Sequence, residues 1–408
     1  MSEPPLRLCL LSHSYPPRVY DGIGRLTQLM ARGLIELGHS VHVITRGDFE
    51  TATLRDGIHI HTLVPPSERY TQYRHLPNLC HGLNYSHHVY DKVKQLARSH
   101  GIQVVDSPLW LFEGLITQIS KSIPTVVRLV TAGAQVNTLH QTHNADTRLV
   151  AQIERELIER ASHVLPNTQS TLELARQVYG VELPRSRYTV VPYGIVPVND
   201  DATSPISLES DSRSILFVGR LEKRKGILDL FNALPIIMKS HPNTTVVIAG
   251  ADNSEHDGFA SSHGMTYPQY FQKHFSAYQR SVRFTGEIDD VDLQSLYRTC
   301  DLFVAPSLHE SFGLIYLEAM NFAKPVIGCA VGGVPEVVEN GVTGKLIEPE
   351  TPQSLANAAI SILNNPAQMR EMGLAGRARL LRDFTYLGMA HRFADVYRRV
   401  ISYEPTNS

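Results

Sequence analysis

The chain has 408 residues, 42% of them hydrophobic and 19% charged, with a net charge of −2. This composition excludes a disordered or fibrous protein, and the near-neutral charge offers no electrostatic footprint for nucleic acid. One hydrophobic core rarely serves so long a chain, so two or three domains are expected. Leu6–Leu11 reads as an apolar strand, followed by a Pro/Gly-bearing loop and a helical pattern from Leu26 to Leu37. Gly38-His39 stops that helix and Val41–Thr45 is the next strand, which makes a βαβ opening. Apolar runs at 102–105, 125–130 and 164–165 alternate with helical patterns at 85–99 and 149–161. Such alternation predicts a parallel sheet with helices on both faces.

Residues 199–213 are rich in Ser and Asp and nearly free of large apolar side chains, as a linker would be. A second series follows, with strands at 215–218, 246–248, 282–284, 301–307 and 325–328. Its helices are predicted from about Ile227 and at 293–299, 314–320 and 355–363. A last helix is predicted over 387–401. The expected domains are therefore 1–198, a linker at 199–213, 214–385, and a C-terminal helix within 386–408 that packs back on the first domain. The fold class is α/β with two Rossmann-like halves, and ligands of such halves bind at the carboxyl ends of the strands.

Glu310 and Glu318 stand eight positions apart around Ser311-Phe312-Gly313, the first in a strand-to-helix loop and the second about one turn into the helix. Two readings stand side by side. Both can be solvated acids, or Glu310 can accept bonds from sugar hydroxyls and Glu318 from a ribose, with the free amides at the helix start facing a pyrophosphate. In Val218-Gly219-Arg220-Leu-Glu-Lys-Arg-Lys225-Gly226, Arg220 can fork onto phosphate oxygens and Lys225 can add a point charge. The same cations also fit a plain exposed loop. Gly22 and Gly24, in Asp21-Gly-Ile-Gly-Arg25, suit either a tight turn or a close approach of backbone to an anion. Gly332-Gly333 and Gly341-Val-Thr-Gly344 read as turns or as a pocket lining.

His59 and His61 share one face of a strand, but no third ligand has convincing spacing, and Asp290-Val-Asp292 reads as a helix cap. Cys9, Cys80, Cys300 and Cys329 form no C-x-x-C pair. Neither a metal nor another cofactor is expected. No run approaches the roughly 20 apolar residues of a membrane span, and Met1-Ser-Glu-Pro-Pro5 lacks a signal-peptide core. The expectation is a cytoplasmic protein with at most weak peripheral membrane association.

Taken in order, Tyr15-Pro-Pro with Gly22 and Gly24, Gly38-His39, Val218-Gly-Arg220 with Lys225-Gly226, Glu310-Ser-Phe-Gly-Leu with Glu318, Gly332-Gly-Val-Pro-Glu336 and Gly341-Val-Thr-Gly344 resemble the retaining glycosyltransferases of family 4. The resemblance covers nearly the whole chain, and the paired glutamates are its most specific part. It implies the GT-B fold, two Rossmann-like domains facing a central cleft. It implies a nucleotide-diphosphate sugar donor held mainly by the C-terminal domain, and a hydroxyl acceptor (glycan, lipid or small molecule) held by the N-terminal one. Glu310 would contact the donor sugar and Glu318 the ribose. Arg220 and Lys225 would stabilise the departing diphosphate, helped by backbone amides near Gly313 and Leu314 and by the Gly22–Gly24 loop. Two positions depart from the family: Val130 or Thr131 stands where a histidine is common, and Pro192-Tyr193-Gly194-Ile195 replaces an Asn-Gly-Val-Asp type turn. Two other functions fit parts of the pattern. One is a non-catalytic sugar-nucleotide binder, and the other is a glycosidase using the paired carboxylates. The basic loop argues against the glycosidase, because a hydrolase has no diphosphate to neutralise.

Overall fold

A computed structural model describes residues 4–17, 22–65, 69–130, 144–199 and 212–403. The chain divides into two compact units, Met1–Gly194 with Tyr386–Ser408, and Ile195–Thr385. Each is an α/β unit built on a parallel sheet.

In the first unit the strands are β1 (Arg7–Leu11), β2 (Ser40–Arg46), β3 (Thr51–Arg55), β4 (Ile58–Leu63), β5 (Val104–Pro108), β6 (Thr125–Leu129) and β7 (His163–Pro166). Their order is β3-β4-β2-β1-β5-β6-β7, and every pairing is parallel except β3 with β4. Cys9, Leu11, Ile44 and Val105 bury one sheet face against Tyr85, Val89, Val93 and Leu96 of the helix Pro77–His100. The helix Gly22–Glu36 packs on the terminal helix Tyr386–Tyr403 so closely that a Cβ on Gly33 would lie 2.7 Å from that of Ala390. β3 carries no apolar alternation because all five of its residues are exposed. What forms it is the two-residue turn Asp56-Gly57, whose φ angles of 51° and 79° suit a hairpin between twisted strands.

The second unit contains β8 (Arg213–Val218), β9 (Thr244–Ala249), β10 (Val282–Gly286), β11 (Leu302–Ala305), β12 (Val326–Cys329) and β13 (Gly344–Ile347), in the order β10-β9-β8-β11-β12-β13, all parallel. Sheets covered on both faces need strands that are apolar throughout, and Ile215-Leu216-Phe217 are all buried. The helices Ile227–Ser240 and Pro352–Leu363 supply much of the core beneath them.

The division between the units falls at Gly194, not in the Ser/Asp-rich stretch. Ile195 donates to Phe384 O at 2.9 Å, Val198 donates to Asn321 Oδ1 at 3.0 Å, and Val196 O accepts from Asn321 Nδ2 at 2.9 Å. These bonds fix 195–198 to the second unit, which also starts its first strand at Arg213. Most of the expected linker, 200–211, lies outside the described residues. Among the described residues no helix is long and apolar enough to cross a membrane, and no group of three or more His, Cys, Asp or Glu could hold a metal ion.

Two polar clusters lie inside the first unit. Arg128, fully buried on β6, bonds Asp106 on β5, donates to Leu11 O at 2.8 Å, and reaches Thr27 Oγ1 at 3.2 Å. Tyr397 of the terminal helix donates to the other Asp106 oxygen at 2.7 Å. The second cluster is a histidine stack. His42 on β2 lies 4.6 Å, ring to ring, from His59 on β4 and 4.6 Å from His100, and its Nδ1 is 3.0 Å from His61 Nε2. Burial, then the neighbouring imidazoles, lower His42 to about 4; burial, then Lys92, His59 and His100, lower His61 to about 4. His163 on β7 is also lowered to about 4, by burial and then Arg399 and Arg187.

Removing one member of a buried ion pair typically costs roughly 3–5 kcal/mol. Arg128→Met is therefore expected to unfold the first unit at clearly lower denaturant, and an unchanged transition would contradict the structural role of the pair. For the histidines, the unfolded rings titrate near their ordinary 6.5 and the folded ones near 4, so the unfolded state binds more protons between these values. Their contribution is fully present above pH 6.5 and is lost as pH falls toward 4. Melting followed by circular dichroism should show this loss, and His42→Leu should flatten part of the slope, with His61 and His163 keeping the remainder.

Candidate active site

The sheet of the second unit reverses its strand order between β8 and β11. From β8 the chain steps outward to β9 and β10, and from β11 it steps the other way to β12 and β13. Loops leaving the carboxyl ends of such a pair diverge to opposite faces and open a crevice, the usual ligand position in open parallel sheets. The two loops here are 219–226 and 306–313, which hold four of the eight predicted site residues, Arg220, Lys225, Glu310 and Gly313.

Close contacts hold the loops together. Gly226 has φ 70°, and a Cβ there would come 1.9 Å from Pro306 O, so any other residue is excluded by both conformation and space. Leu308 N donates to Arg224 O at 2.8 Å, and Arg224 Nη1 donates to His309 O at 3.3 Å. Lys225 Nζ donates to Glu310 Oε2 at 2.6 Å, with the two side chains 15% and 16% exposed. The Glu310 carbonyl in turn accepts from Gly333 N at 2.9 Å. The double glycine after β12 thus bonds to the Glu310 backbone.

Burial pushes the Glu310 carboxyl up, but Lys225, by charge and hydrogen bond, and then Arg224 outweigh it and hold the carboxyl below the usual carboxylate range. Glu310 is therefore ionised at neutral pH. Arg220 is 59% exposed and meets Glu222 Oε1 at 3.5 Å. Gly313, with φ 97°, caps the helix Leu314–Asn321 and presents the first helical amides, with Leu314 half-buried. Glu318, one turn on, accepts from Tyr297 OH at 2.8 Å, and the Tyr297 ring is buried beside Phe303 and Phe322.

Lys225 and Glu310 are thus in direct contact, Arg220 joins the basic loop through Glu222, and Glu318 shares a helix with Leu314 but bonds to Tyr297. Gly22 and Gly24 belong to the first unit, and their local structure differs from the expected loop. The helix there begins at Gly22, not near Leu26. Gly24 lies within it because the chain after β1 crowds in, and a Cβ would sit 2.8 Å from Ser14 Oγ. Among the described residues, no atom lies within 4 Å of where a Cβ on Gly22 would stand. Val130 is buried and apolar, while Thr131, His140 and His143 lie outside the described residues. Glu222, Arg224, Asn253 and Tyr297 were not singled out from the sequence. Glu222 and Arg224 stand in the same basic run as Lys225, whereas nothing in the sequence marks Asn253 or Tyr297.

Residues 21–194 match the glycosyl transferase 4-like domain, and residues 199–379 match glycosyl transferases group 1. The chain is 27% identical over 417 residues to a glycogen synthase of Mycobacterium tuberculosis, covering 96% of this chain and 94% of that one. Among solved structures, sucrose-phosphate synthase of Thermosynechococcus elongatus superposes with a TM-score of 0.77 at 21% identity, covering 98% of this chain and all of that one. Anabaena HepE, solved in complex with UDP and glucose, gives 0.71 at 18% identity, covering 96% and 99%. The two sheets and these matches agree, and the chain belongs to the group 1 glycosyltransferases of the two-domain GT-B type, with a family 4-like first domain.

Proposed function

We propose that this glycosyltransferase moves a sugar from a nucleotide-diphosphate sugar to a hydroxyl acceptor with retention of anomeric configuration. The observation that carries this reading is the contact of Lys225 with Glu310 where the loops after β8 and β11 converge. A cation and an ionised carboxylate held side by side suit the two halves of such a donor, phosphates on one and sugar hydroxyls on the other. The UDP and glucose bound to Anabaena HepE support the same donor class.

In this reaction the bond from the anomeric carbon to the diphosphate oxygen breaks, and negative charge grows on that oxygen. Arg220 and Lys225 stabilise the charge as fixed cations, and the amides at Gly313 and Leu314 add the field of a helix start. No metal is needed for this neutralisation. Glu310 accepts hydrogen bonds from the donor sugar, and Glu318 accepts them from the ribose. A glycine at position 22 carries no side chain, so an anion would be able to approach the amides at the first helix start closely. The acceptor hydroxyl attacks from the face the diphosphate leaves, its oxygen forms the new bond to the anomeric carbon, and its proton passes to the departing phosphate.

Loss of one such preorganised charge usually costs about 10²–10³ in rate. Lys225→Ala and Glu310→Gln should each lower transfer by about that factor while circular dichroism stays unchanged. Proton NMR of the product should show the donor's anomeric configuration. Full activity in both variants would remove these residues from the reaction, and an inverted product would overturn retention.

A further inference from the structure

The basic loop contains an acid whose position the proposed function does not explain. Glu222 lies between Arg220 and Arg224, and its side chain is only 7% exposed. One oxygen accepts from Arg224 Nη2 at 2.6 Å and from Arg220 Nη2 at 3.5 Å, and the other accepts from Asn253 Nδ2 at 2.8 Å. Asn253 belongs to the segment after β9, where its own amide donates to Leu221 O at 3.0 Å. Glu222 is thereby anchored to the neighbouring strand's loop. Through Arg224 it also reaches the other side of the crevice, since that guanidinium holds His309 O, one residue before Glu310.

Burying a carboxylate costs desolvation, and placing it among cations weakens their pull on a diphosphate. An acid that served affinity alone would not be here. What it supplies is orientation, because a guanidinium is a planar fork whose value to a phosphate depends on its angle, and a carboxylate fixes that plane. We propose that Glu222 is a positioning residue that sets the angles of Arg220 and Arg224, giving up some diphosphate affinity for a faster departure of the leaving group. The proposal rests on the diphosphate role given above to Arg220 and Lys225.

Glu222→Gln tests it with little change of shape. The amide oxygen can still accept from Asn253, but its NH₂ then faces two guanidiniums that only donate, so the arginines are released. Turnover of UDP-glucose and ADP-glucose is read as release of the nucleoside diphosphate, and binding of UDP and ADP by calorimetry. The expected result is a fall in kcat of about ten- to a hundredfold, the range a small misplacement of a reacting group produces, with diphosphate affinity unchanged or tighter. In an Arg220→Ala background the same change should lower kcat by a smaller factor.

Unchanged kcat in Glu222→Gln, or kcat and affinity falling together with loss of folded protein, overturns the positioning role. Fully multiplicative effects in the double variant overturn action through Arg220. Wild-type protein that binds neither UDP nor ADP, or full activity in Arg220→Ala, overturns instead the site assignment beneath the proposal.

Discussion

Lys225 and Glu310 meet at 2.6 Å across two loops that leave adjacent parallel strands, and much of the second unit is arranged so that they can. The contact depends first on topology, because β8 and β11 are adjacent parallel strands whose following loops border one crevice at the switch point of the sheet. It depends next on the absence of side chains. Gly226 lies against Pro306 O, so the loop after β8 could not close on the loop after β11 with a larger residue there, and a Cβ on Gly332, in the loop after β12, would come 2.0 Å from Glu310 O. The ion pair is then largely desolvated, which raises the strength of its field and also the cost of leaving either member alone.

Such a pair is weak support for stability and a natural starting point for catalysis. Its two charges cancel in the resting protein, and in the proposed reaction a donor would separate their roles, its phosphate oxygens taking the ammonium and its sugar hydroxyls the carboxylate. The arrangement is preorganised because each group already has its partner's geometry imposed by backbone. Arg224 ties the loops a second time, Gly333 holds the Glu310 carbonyl, and Glu222 orients the guanidiniums. In the first unit a different buried pair, Arg128 with Asp106, bonds the helix Tyr386–Tyr403 through Tyr397, so that helix becomes part of the first sheet's core.

Much of this was legible before any coordinates, and the misses have physical reasons. The buried strands could be read because sheets covered on both faces demand continuous apolar runs, as at Ile215-Leu216-Phe217. β3 could not, because an edge strand exposed along its whole length carries no alternation, although Asp56-Gly57 marks its turn. The helix Pro366–Asp383 was missed because Gly373 and Gly376 interrupt its pattern; a Cβ on Gly373 would come 2.0 Å from Ala323 O. Composition shows where a chain is polar, whereas the division at Gly194 goes with the hydrogen bonds of Ile195 and Val198. Glu310 and Lys225 were legible as types at a spacing. Glu222 was not, since an acid in a basic run reads as one more solvated charge until its contacts with Arg224 and Asn253 are seen.

The central claim is that Lys225 exchanges Glu310 for a diphosphate, and calorimetric titration of UDP into wild type and Lys225→Met tests it directly, with uridine as the control. A charged hydrogen bond is worth about 1.5–3 kcal/mol, so UDP affinity should fall about ten- to a hundredfold while uridine binding stays the same. Equal UDP affinity in the two proteins would place the diphosphate elsewhere and contradict the role assigned to the pair.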